Sequence, residues 1–350
     1  MELFVLDLGN RQTKLKTQNT ELTLPSYFVE SSNFGDRGIM NFVKQQRDNH
    51  DYHSQKDGNV YVWGSEIDLE YTDFITDTLA FGLERYQSLD FKLLVDFALA
   101  RLAVNYESSK KGILDVNVVT GVPTKDYINE AILEAIKNAI KGDHAVTIDE
   151  EKVTVRVHDV YILPQSLGTV INEVTNTNGE VIDSPILETS IGVVDLGGGT
   201  VLVDVLNKMN VDTKKRKQSS HGAYMLYEAI ANKIAEKYGH NVSEYEVERI
   251  VRVGNKKEEY YLSLDGIDDL SITKEVMDAR ELYTQNIIKE VRSALKTTER
   301  ISQILVTGGT ANLLIKSEFT KAFPTAKFVE NSEFANANGF YKFGLAEGLV

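Results

Sequence analysis

The sequence predicts an α/β fold built from two similar domains, and three observations lead to this interpretation. Short apolar stretches with the two-residue alternation of strands occur between segments whose apolar residues have helical spacing. The 350 residues suffice for about two domains of roughly 150 residues each. The string Leu6-Asp-Leu-Gly9 recurs as Val194-Asp-Leu-Gly197, each time between two strand-like stretches. This repeat indicates two halves that each open on a hairpin.

The first half is expected to alternate strands and helices around a long polar insertion. Its predicted elements are strands at 3–6 and 13–17, helices at 89–106 and 126–140, a hairpin at 146–157 and a strand at 160–163. Residues 30–60 are polar and aperiodic, which predicts a long loop or a small subdomain. His50 and His53 lie there, and a mobile loop explains them better than a metal site does.

The second half continues the same alternation. Pro164 fits the first position of a helix to about 174, because proline lacks an N–H that this position does not need. The other predicted elements are hairpins at 191–206 and 260–272, helices at 222–238, 244–253 and 273–296, a strand at 304–306, a short helix near Thr310, a strand at 327–329 and a last helix from about 334.

Composition excludes several classes of protein. The 52 acidic and 38 basic residues give a net charge of −14, which repels nucleic acid and argues against direct DNA binding. The chain contains no cysteine, so disulfides, thiol catalysis and cysteine-based zinc sites are excluded and a reducing compartment is favoured. No signal peptide and no apolar run of about 20 residues occur. We therefore expect a soluble, cytoplasmic protein that does not contact a membrane.

The second copy of the repeat carries the clearest candidate site, Asp195-Leu-Gly-Gly-Gly-Thr200. Gly197, Gly198 and Gly199 permit positive φ and let backbone N–H groups approach an anion closely. The Thr200 hydroxyl can donate to a phosphate, and Asp195 ends a buried strand, where it can hold a metal ion or an attacking water. The alternative is a glycine hairpin that only reverses the chain.

The first copy has a matching acid, Asp7, and a lysine on the return strand, Lys14. Lys14 can reach the β- and γ-phosphates of a nucleotide as a point charge, although a solvated strand lysine is the alternative. Two acids and a lysine around two turns suit a Mg-nucleotide, because Mg²⁺ keeps several waters and takes few direct carboxylates. The candidate binding residues of this turn are Gly9, Asn10, Arg11, Gln12, Thr13 and Lys14.

A third candidate follows the strand at 304–306, where Gly308, Gly309 and Thr310 precede a predicted helix start. Such a turn allows close approach to a base or a phosphate, and a plain strand-to-helix turn is the alternative. Neither of two common nucleotide motifs is present: no G-x-x-x-x-G-K-[ST] string occurs, and a strand rather than a helix follows the glycines at 197–199.

These motifs, in this order, resemble the actin/Hsp70/sugar-kinase ATPase fold. The matching strings are Asp7-x-Gly9 with Lys14, Pro164-Gln165, Asp195 to Thr200, Gly308-Gly309-Thr310 and Asn336-Ala-Asn-Gly339. Within this superfamily, Val119-Thr-Gly-Val-Pro123 resembles a string of the ParM/StbA branch, the actin-like plasmid-segregation proteins.

The resemblance implies an actin-like ATPase fold with two similar α/β domains around a nucleotide cleft. Domain I would comprise 1–163 and 332–350, and domain II would comprise 164–331. Gln165 would orient the attacking water, and Asp7 and Asp195 would act in catalysis and hold Mg²⁺. The resemblance also implies that a helix approaches the nucleotide at Gly222 and that Glu248 and Arg249 meet the ribose and base, although a solvated helix face explains that last pair equally well.

The function implied is that of an ATPase that polymerises into filaments with copies of itself. It would segregate plasmid DNA through a ParR-like DNA-binding adaptor, with ATP and Mg²⁺ as cofactors; the residues do not distinguish ATP from GTP. Two alternatives stay open: a small-molecule kinase of the sugar- or acetate-kinase type, and a cytoskeletal scaffold of the MreB or FtsA kind. The basic run at 214–217 is either a solvated strand face or a filament contact.

Overall fold

The computed structural model describes residues 1–33, 48–65, 67, 74–254, 257–263, 269–295 and 300–350. They form two compact units, one of Met1–Ser184 with Phe334–Val350 and one of Pro185–Glu333. The sequence prediction divides the chain after 163 and after 331 instead. The difference is mainly the stretch 164–184, which includes the helix that begins at Gln165 and belongs to the first unit. The division into domains stays a prediction.

The first unit contains one mixed sheet of ten described strands. These are β1 (Glu2–Leu8), β2 (Gln12–Lys16), β3 (Glu21–Pro25), β4 (Tyr27–Glu30), β5 (Asn49–His53), β6 (Val60–Gly64), β7 (Ile75–Asp77), β8 (Leu114–Val122), β9 (Gly142–Ile148) and β10 (Glu151–Pro164). Their order is β3-β2-β1-β8-β10-β9-β5-β6-β4-β7. β1 pairs antiparallel with β2 and parallel with β8. It is therefore an interior strand, which explains why nearly all of it is buried.

Helices cover this sheet and close its core. They are α1 (Leu83–Gln87), α2 (Leu89–Ala103), α3 (Glu107–Lys111), α4 (Thr124–Tyr127), α5 (Glu130–Ile140) and α6 (Gln165–Val174). α2 is apolar on almost every side and is buried along most of its length, as expected of a helix in the centre of a core. Its Phe97 contacts an aromatic cluster that includes Phe28, Tyr52 and Trp63.

The polar insertion, for which either a long loop or a small subdomain was expected, contains a strand. Asn49–His53 forms β5, in which Tyr52 is fully buried while His53 is exposed, so the mobile loop expected at His50 and His53 is wrong. Pairing with β6 and β9 stabilises this strand despite its polar composition, because long-range pairing outweighs weak local preference. Residues 34–47 of the insertion lie outside the described part of the chain. Within the described part, no group of three or more His, Asp or Glu side chains could hold a metal ion.

Two other predicted elements have different bounds. The helix predicted at 126–140 is interrupted at Asn129, whose side-chain oxygen accepts hydrogen bonds from the N–H groups of Ala131 and Ile132 at 3.1 and 3.4 Å and caps α5. The separate strand predicted at 160–163 is the end of β10, which runs on through a register shift between Val157 and Val160.

The second unit is built around a smaller sheet. The described strands of this unit are β11 (Ser190–Leu196), β12 (Val201–Asn207), β13 (Asn210–Ser219), β14 (Tyr261–Ser263), β15 (Asp269–Ser271), β16 (Gln303–Thr307) and β17 (Ala326–Phe328). Five of them form a sheet in the order β13-β12-β11-β16-β17, and β14 pairs with β15. The turn predicted at Asp265-Gly266 lies outside the described residues. β11 pairs antiparallel with β12 and parallel with β16, the same arrangement as β1 with β2 and β8. The sequence repeat thus marks a real structural correspondence.

The helices of the second unit lie close to their predicted places. α7 (Ser184–Leu187) lies at the boundary between the two units in the sequence. It is followed by α8 (Ala223–Tyr238), α9 (Glu244–Gly254), α10 (Thr273–Leu295) and α11 (Lys316–Ala322). The short helix predicted near Thr310 is wrong in type, because only a three-residue 3₁₀ turn, Ala311–Leu313, is present. The chain ends with α12 (Ala335–Ala346) in the first unit. No helix in the described part of the chain is long and apolar enough to cross a membrane.

α12 and α6 cross at very close range inside the first unit. A Cβ atom on Gly339 would lie 1.8 Å from the carbonyl oxygen of Gly168, so only glycine fits at this crossing. Thr169 Oγ1 donates to Asn336 Oδ1 at 2.6 Å, and both residues are buried. Lys342 Nζ donates to two carbonyl groups near the end of α6. These contacts fix the helix that begins with Gln165.

We expect Gly339→Ala to destabilise the protein by about 3 kcal/mol, because the new methyl group would overlap backbone that cannot move aside. Gly112→Ala is the matched control, since a Cβ atom there meets nothing nearer than 3.7 Å. Urea unfolding of both variants measures the difference. Equal midpoints for the two variants would show that the crossing is not tightly packed.

Candidate functional site

The first candidate turn, between β1 and β2, brings three predicted residues together. Asp7 is only 3% exposed and lies directly opposite Lys14 in the strand register. Gln165, the first residue of α6, donates from Nε2 to Asp7 Oδ1 at 3.4 Å. An acid, a cation and an amide from distant parts of the sequence thus lie at one end of β1.

Burial raises the pKa of Asp7 above its ordinary value. The charge of Lys14, the hydrogen bond from Gln165 and the charge of Arg85 act in the opposite direction but do not cancel the effect. The fold therefore makes the charged form of Asp7 less favourable than it is in water. A metal ion or another cation beside the carboxylate would relieve that cost.

The carbonyl groups of this turn are held by the protein. Arg85 Nη2 donates to the carbonyl oxygens of Leu8 at 2.8 Å and Gly9 at 3.1 Å. Ser26 Oγ also donates to the Gly9 carbonyl at 2.6 Å. In a planar trans peptide the N–H points away from the C=O, and no cis peptide occurs among the described residues. The N–H of Asn10 therefore faces away from the groups that hold the Gly9 carbonyl.

Several side chains of the first turn have structural contacts of their own. Thr13 is fully buried with its hydroxyl 3.0 Å from Ser26 Oγ, and Arg11 forms an ion pair with Asp77 at 3.0 Å. A Cβ atom on Gly9 would lie 2.7 Å from the Gln12 carbonyl oxygen, so glycine is needed to close the turn. Asn10 differs, because its Oδ1 is buried without a hydrogen-bond partner in the described structure. A bound polar ligand is one group that could satisfy such an atom.

The second candidate turn, between β11 and β12, is held in a similar way by other groups. The N–H of Gly197 donates to the Thr200 carbonyl at 2.8 Å and closes the turn. The Gly197 and Gly198 carbonyls accept from the N–H groups of Ala223 and Tyr224, the first residues of α8, at 3.2 and 2.9 Å. The peptide N–H groups that follow, those of Gly198 and Gly199, face the other way.

One of the two uses predicted for the glycines of this turn is not found. Glycine permits positive φ, but none of Gly197, Gly198 and Gly199 has it. Close approach does require glycine at Gly222, which lies beside this turn. A Cβ atom on Gly222 would lie 2.4 Å from the Gly198 carbonyl oxygen and 2.6 Å from the Thr200 nitrogen. Gly222 thus lies against the second turn, near the place that the sequence indicated.

The third predicted segment supports the second turn. Thr310 donates to the Leu196 carbonyl from its N–H at 3.1 Å and from its hydroxyl at 2.9 Å. Gly308 has φ 97°, and a Cβ atom there would lie 2.5 Å from Asp195 Oδ1. Gly309 stands between them. Thr310 precedes only a 3₁₀ turn, Ala311–Leu313, so the helix N-terminus expected there is not present. The geometry instead brings Gly308 directly beside Asp195.

The two residues predicted to meet the ribose and base, Glu248 and Arg249, have different surroundings. Glu248 Oε1 accepts from Arg252 Nε at 2.9 Å, one helical turn along α9, whereas Arg249 is exposed. Arg252 also lies 3.9 Å from Glu333. Sequence analysis missed Arg252, although its spacing of four residues from Glu248 is a recognisable signal. Arg85 and Ser26 were missed too, and no local pattern marks either one.

Comparison with known families gives a consistent result for both halves. The family described as "Actin like proteins N terminal domain" matches residues 6–168, and the one described as "Plasmid segregation protein ParM, C-terminal" matches residues 187–343. The chain belongs to the actin-like ParM family. The family predicted from the motifs is therefore confirmed.

Solved structures agree with this assignment to the ParM family. The apo psk41 ParM protein is 21% identical with a TM-score of 0.75, and the match covers 99% of this chain and 98% of that one. Ta0583, an archaeal actin homolog in complex with ADP, is 18% identical with a TM-score of 0.77 over 99% and 100% of the two chains. A 15-stranded ParM filament from Clostridium botulinum gives 18% identity and a TM-score of 0.73, with 98% of each chain covered. No curated protein sequence matches. At these identities the structures establish the actin-like fold, which was predicted.

We expect Asp7→Asn to raise the melting temperature of the nucleotide-free protein at pH 7 by roughly 2–4 °C, the effect of about 1 kcal/mol in a unit of this size. A carboxyl whose pKa is raised by folding contributes stability below its unfolded pKa of about 3.9 and loses it as the pH rises through the folded pKa. The gain should therefore shrink as the pH falls towards 4.

Calorimetry of both proteins between pH 4 and pH 8, without nucleotide or Mg²⁺, measures this effect. Asp159→Asn, a change at an exposed acid, should show no such trend. A melting temperature for Asp7→Asn at or below that of the unmodified protein at every pH would contradict the account of Asp7.

Proposed function

We propose that this ParM-family protein binds and hydrolyses Mg-ATP and uses that cycle to control its own assembly into filaments. One observation carries the proposal. In each of two corresponding turns the protein holds the carbonyl groups and directs N–H groups away from them, beside a strand that carries an acid. Backbone N–H groups of this kind, together with carboxylates, are what a phosphate chain with its metal ion requires.

The residues present fit that ligand. The N–H groups of Asn10, Gly198 and Gly199 would donate to phosphate oxygens, and Lys14 would add a point charge. Asp7 and Asp195 would hold Mg²⁺, in part through its waters. The buried Asn10 Oδ1, which has no hydrogen-bond partner in the described structure, could accept a hydrogen bond from such a ligand or its waters. The bound metal ion would offset charge on the phosphates.

Hydrolysis would depend on Gln165. A glutamine is not a strong base, so its part would be to position the attacking water by hydrogen bonding. Its Nε2 already donates to Asp7 Oδ1, and α6 is locked against α12. Asp195 would align water near the metal ion. The packing of α6 explains how a flexible amide can be held in one place.

The base and ribose would be met by segments other than the two turns. Gly308 and Gly309 would allow the adenosine part to approach backbone, while Thr310 would act only through the second turn. Glu248 would meet the ribose with its carboxylate oriented by Arg252, and Arg249 would meet the base from its exposed position. Gly222 would contribute by letting α8 reach the second turn.

Filament formation and plasmid segregation complete the proposal. Solved relatives of the same fold include a 15-stranded ParM filament and an ADP complex, and the family that matches 187–343 is described by plasmid segregation. We propose copies of this chain as the main partner and a ParR-like adaptor as the link to plasmid DNA in the cytoplasm. The net charge of −14 favours an adaptor over direct contact with DNA.

We expect Asp195→Ala to reduce ATP hydrolysis by at least about 100-fold, the lower range for a positioned catalytic group, while nucleotide binding survives in part. Filaments should then persist longer, because hydrolysis would no longer weaken them. Phosphate release and light scattering measure the two effects. Asp159→Ala, at an exposed ion pair with Lys141, is the control. Unmodified turnover in Asp195→Ala would refute the role of Asp195.

Assembly should depend on the γ-phosphate. If one triphosphate contacts both turns, a slowly hydrolysed ATP analogue should give a lower critical concentration than ADP, because a ligand shifts an equilibrium only by its differential affinity. Lys14→Ala should raise the critical concentration in the analogue, whereas Lys16→Ala, on the same strand and paired with Glu21, should not. Light scattering against protein concentration tests this. Equal critical concentrations in the two nucleotides would favour the small-molecule kinase instead.

A further inference from the structure

Arg85 is a buried cation directly behind the first turn. It is 5% exposed on the short helix α1, and its guanidinium carbon lies 5.5 and 5.4 Å from the ring centres of Tyr86 and Phe91. Its Nη2 makes the two hydrogen bonds to the carbonyls of Leu8 and Gly9. The side chain therefore connects α1 to the turn rather than to solvent.

The charge of Arg85 is not balanced by an ion pair. In the described part of the chain no carboxylate pairs with it, and its Nε is buried without an acceptor. Asp7 interacts with it only through space. A buried charge without a direct counterion is unfavourable, because it has lost its hydration without gaining an ion pair. A polyanion bound on the far side of the turn would recover that cost.

We propose that Arg85 is the positioning residue of the first turn. By holding the Leu8 and Gly9 carbonyls it directs the N–H groups of Gly9 and Asn10 towards the phosphates, and its unpaired charge favours the more highly charged nucleotide. This inference rests on the proposed nucleotide site. Arg85 itself does not touch the ligand; it acts through the backbone of the turn.

Arg280 in the second unit provides a comparison. It is equally buried, and it donates to the carbonyls of Leu313 and Asn312 at 3.0 and 3.3 Å. It differs in having a carboxylate, that of Glu258, 3.4 Å from its Nη1. Loss of either arginine removes hydrogen bonds from a buried guanidinium to a turn. Only the loss of Arg85 should affect the first turn.

The experiment compares Arg85→Met, Arg85→Lys and Arg280→Met with the unmodified protein. Amide hydrogen exchange of residues 9–14 is measured without nucleotide, and the affinities for Mg-ADP and a slowly hydrolysed Mg-ATP analogue are measured by titration. For Arg85→Met we expect the exchange rate in 9–14 to rise by about tenfold or more. The affinity for the analogue should fall by about the same factor, because hydrogen bonds from a charged donor are lost. Affinity for ADP should fall less.

The other variants separate positioning from general stability. Arg85→Lys keeps the charge but not the planar fork, so it should restore the preference for the triphosphate while exchange in 9–14 stays raised. Arg280→Met should leave exchange in 9–14 unchanged. If Arg85→Met does not fold, exchange in Arg85→Lys decides: a raised rate supports the role and an unchanged rate refutes it.

Two outcomes would overturn the inference. One is unchanged exchange in 9–14 in folded Arg85→Met. The other is an equal loss of affinity for both nucleotides in Arg85→Met, which would indicate general destabilisation. A protein that binds neither nucleotide even without substitution would instead refute the proposed function, and the exchange measurement would still decide whether Arg85 holds the turn.

Discussion

A turn can offer its backbone N–H groups to an anion only when its carbonyl groups are held elsewhere, because the two dipoles of a peptide unit point in opposite directions. Both candidate turns meet this requirement. Arg85 and Ser26 hold the carbonyls of the first turn, whereas Thr310 and the first amides of α8 hold those of the second. The rest of the candidate site depends on these donors, since they fix the direction in which the turns can bind.

The two halves reach this common geometry by different means. In the first unit a buried cation acts from a helix of five residues, and its charge adds to that of Lys14. In the second unit neutral backbone donors act, and helix α8 uses its first amides on the turn itself. Gly222 and Gly308 belong to the same arrangement, because only glycine lets α8 and the end of β16 come close enough. Within the second unit, motifs far apart in sequence thus hold one turn in place.

The sequence was sufficient for features that local patterns determine. Asp7 and Asp195 follow apolar strands and precede glycine turns, so their places at strand ends could be predicted, as could the repeat. Tertiary contacts determine the rest. Polar β5 becomes a strand only through pairing with β6 and β9, and Arg85 becomes a loop-holding residue only through burial against Leu8 and Gly9. No periodicity or motif marks such residues in advance.

We propose that each of the two turns, and the segment at 308–310, binds nucleotide. Amide hydrogen exchange of the unmodified protein, with and without Mg-ADP or a slowly hydrolysed Mg-ATP analogue, tests it most directly. We expect the analogue to slow exchange both in 9–14 and in 197–200. At 308–310 we expect ADP and the analogue to slow exchange alike. Protection of only one turn by the analogue, or of neither, would contradict the account.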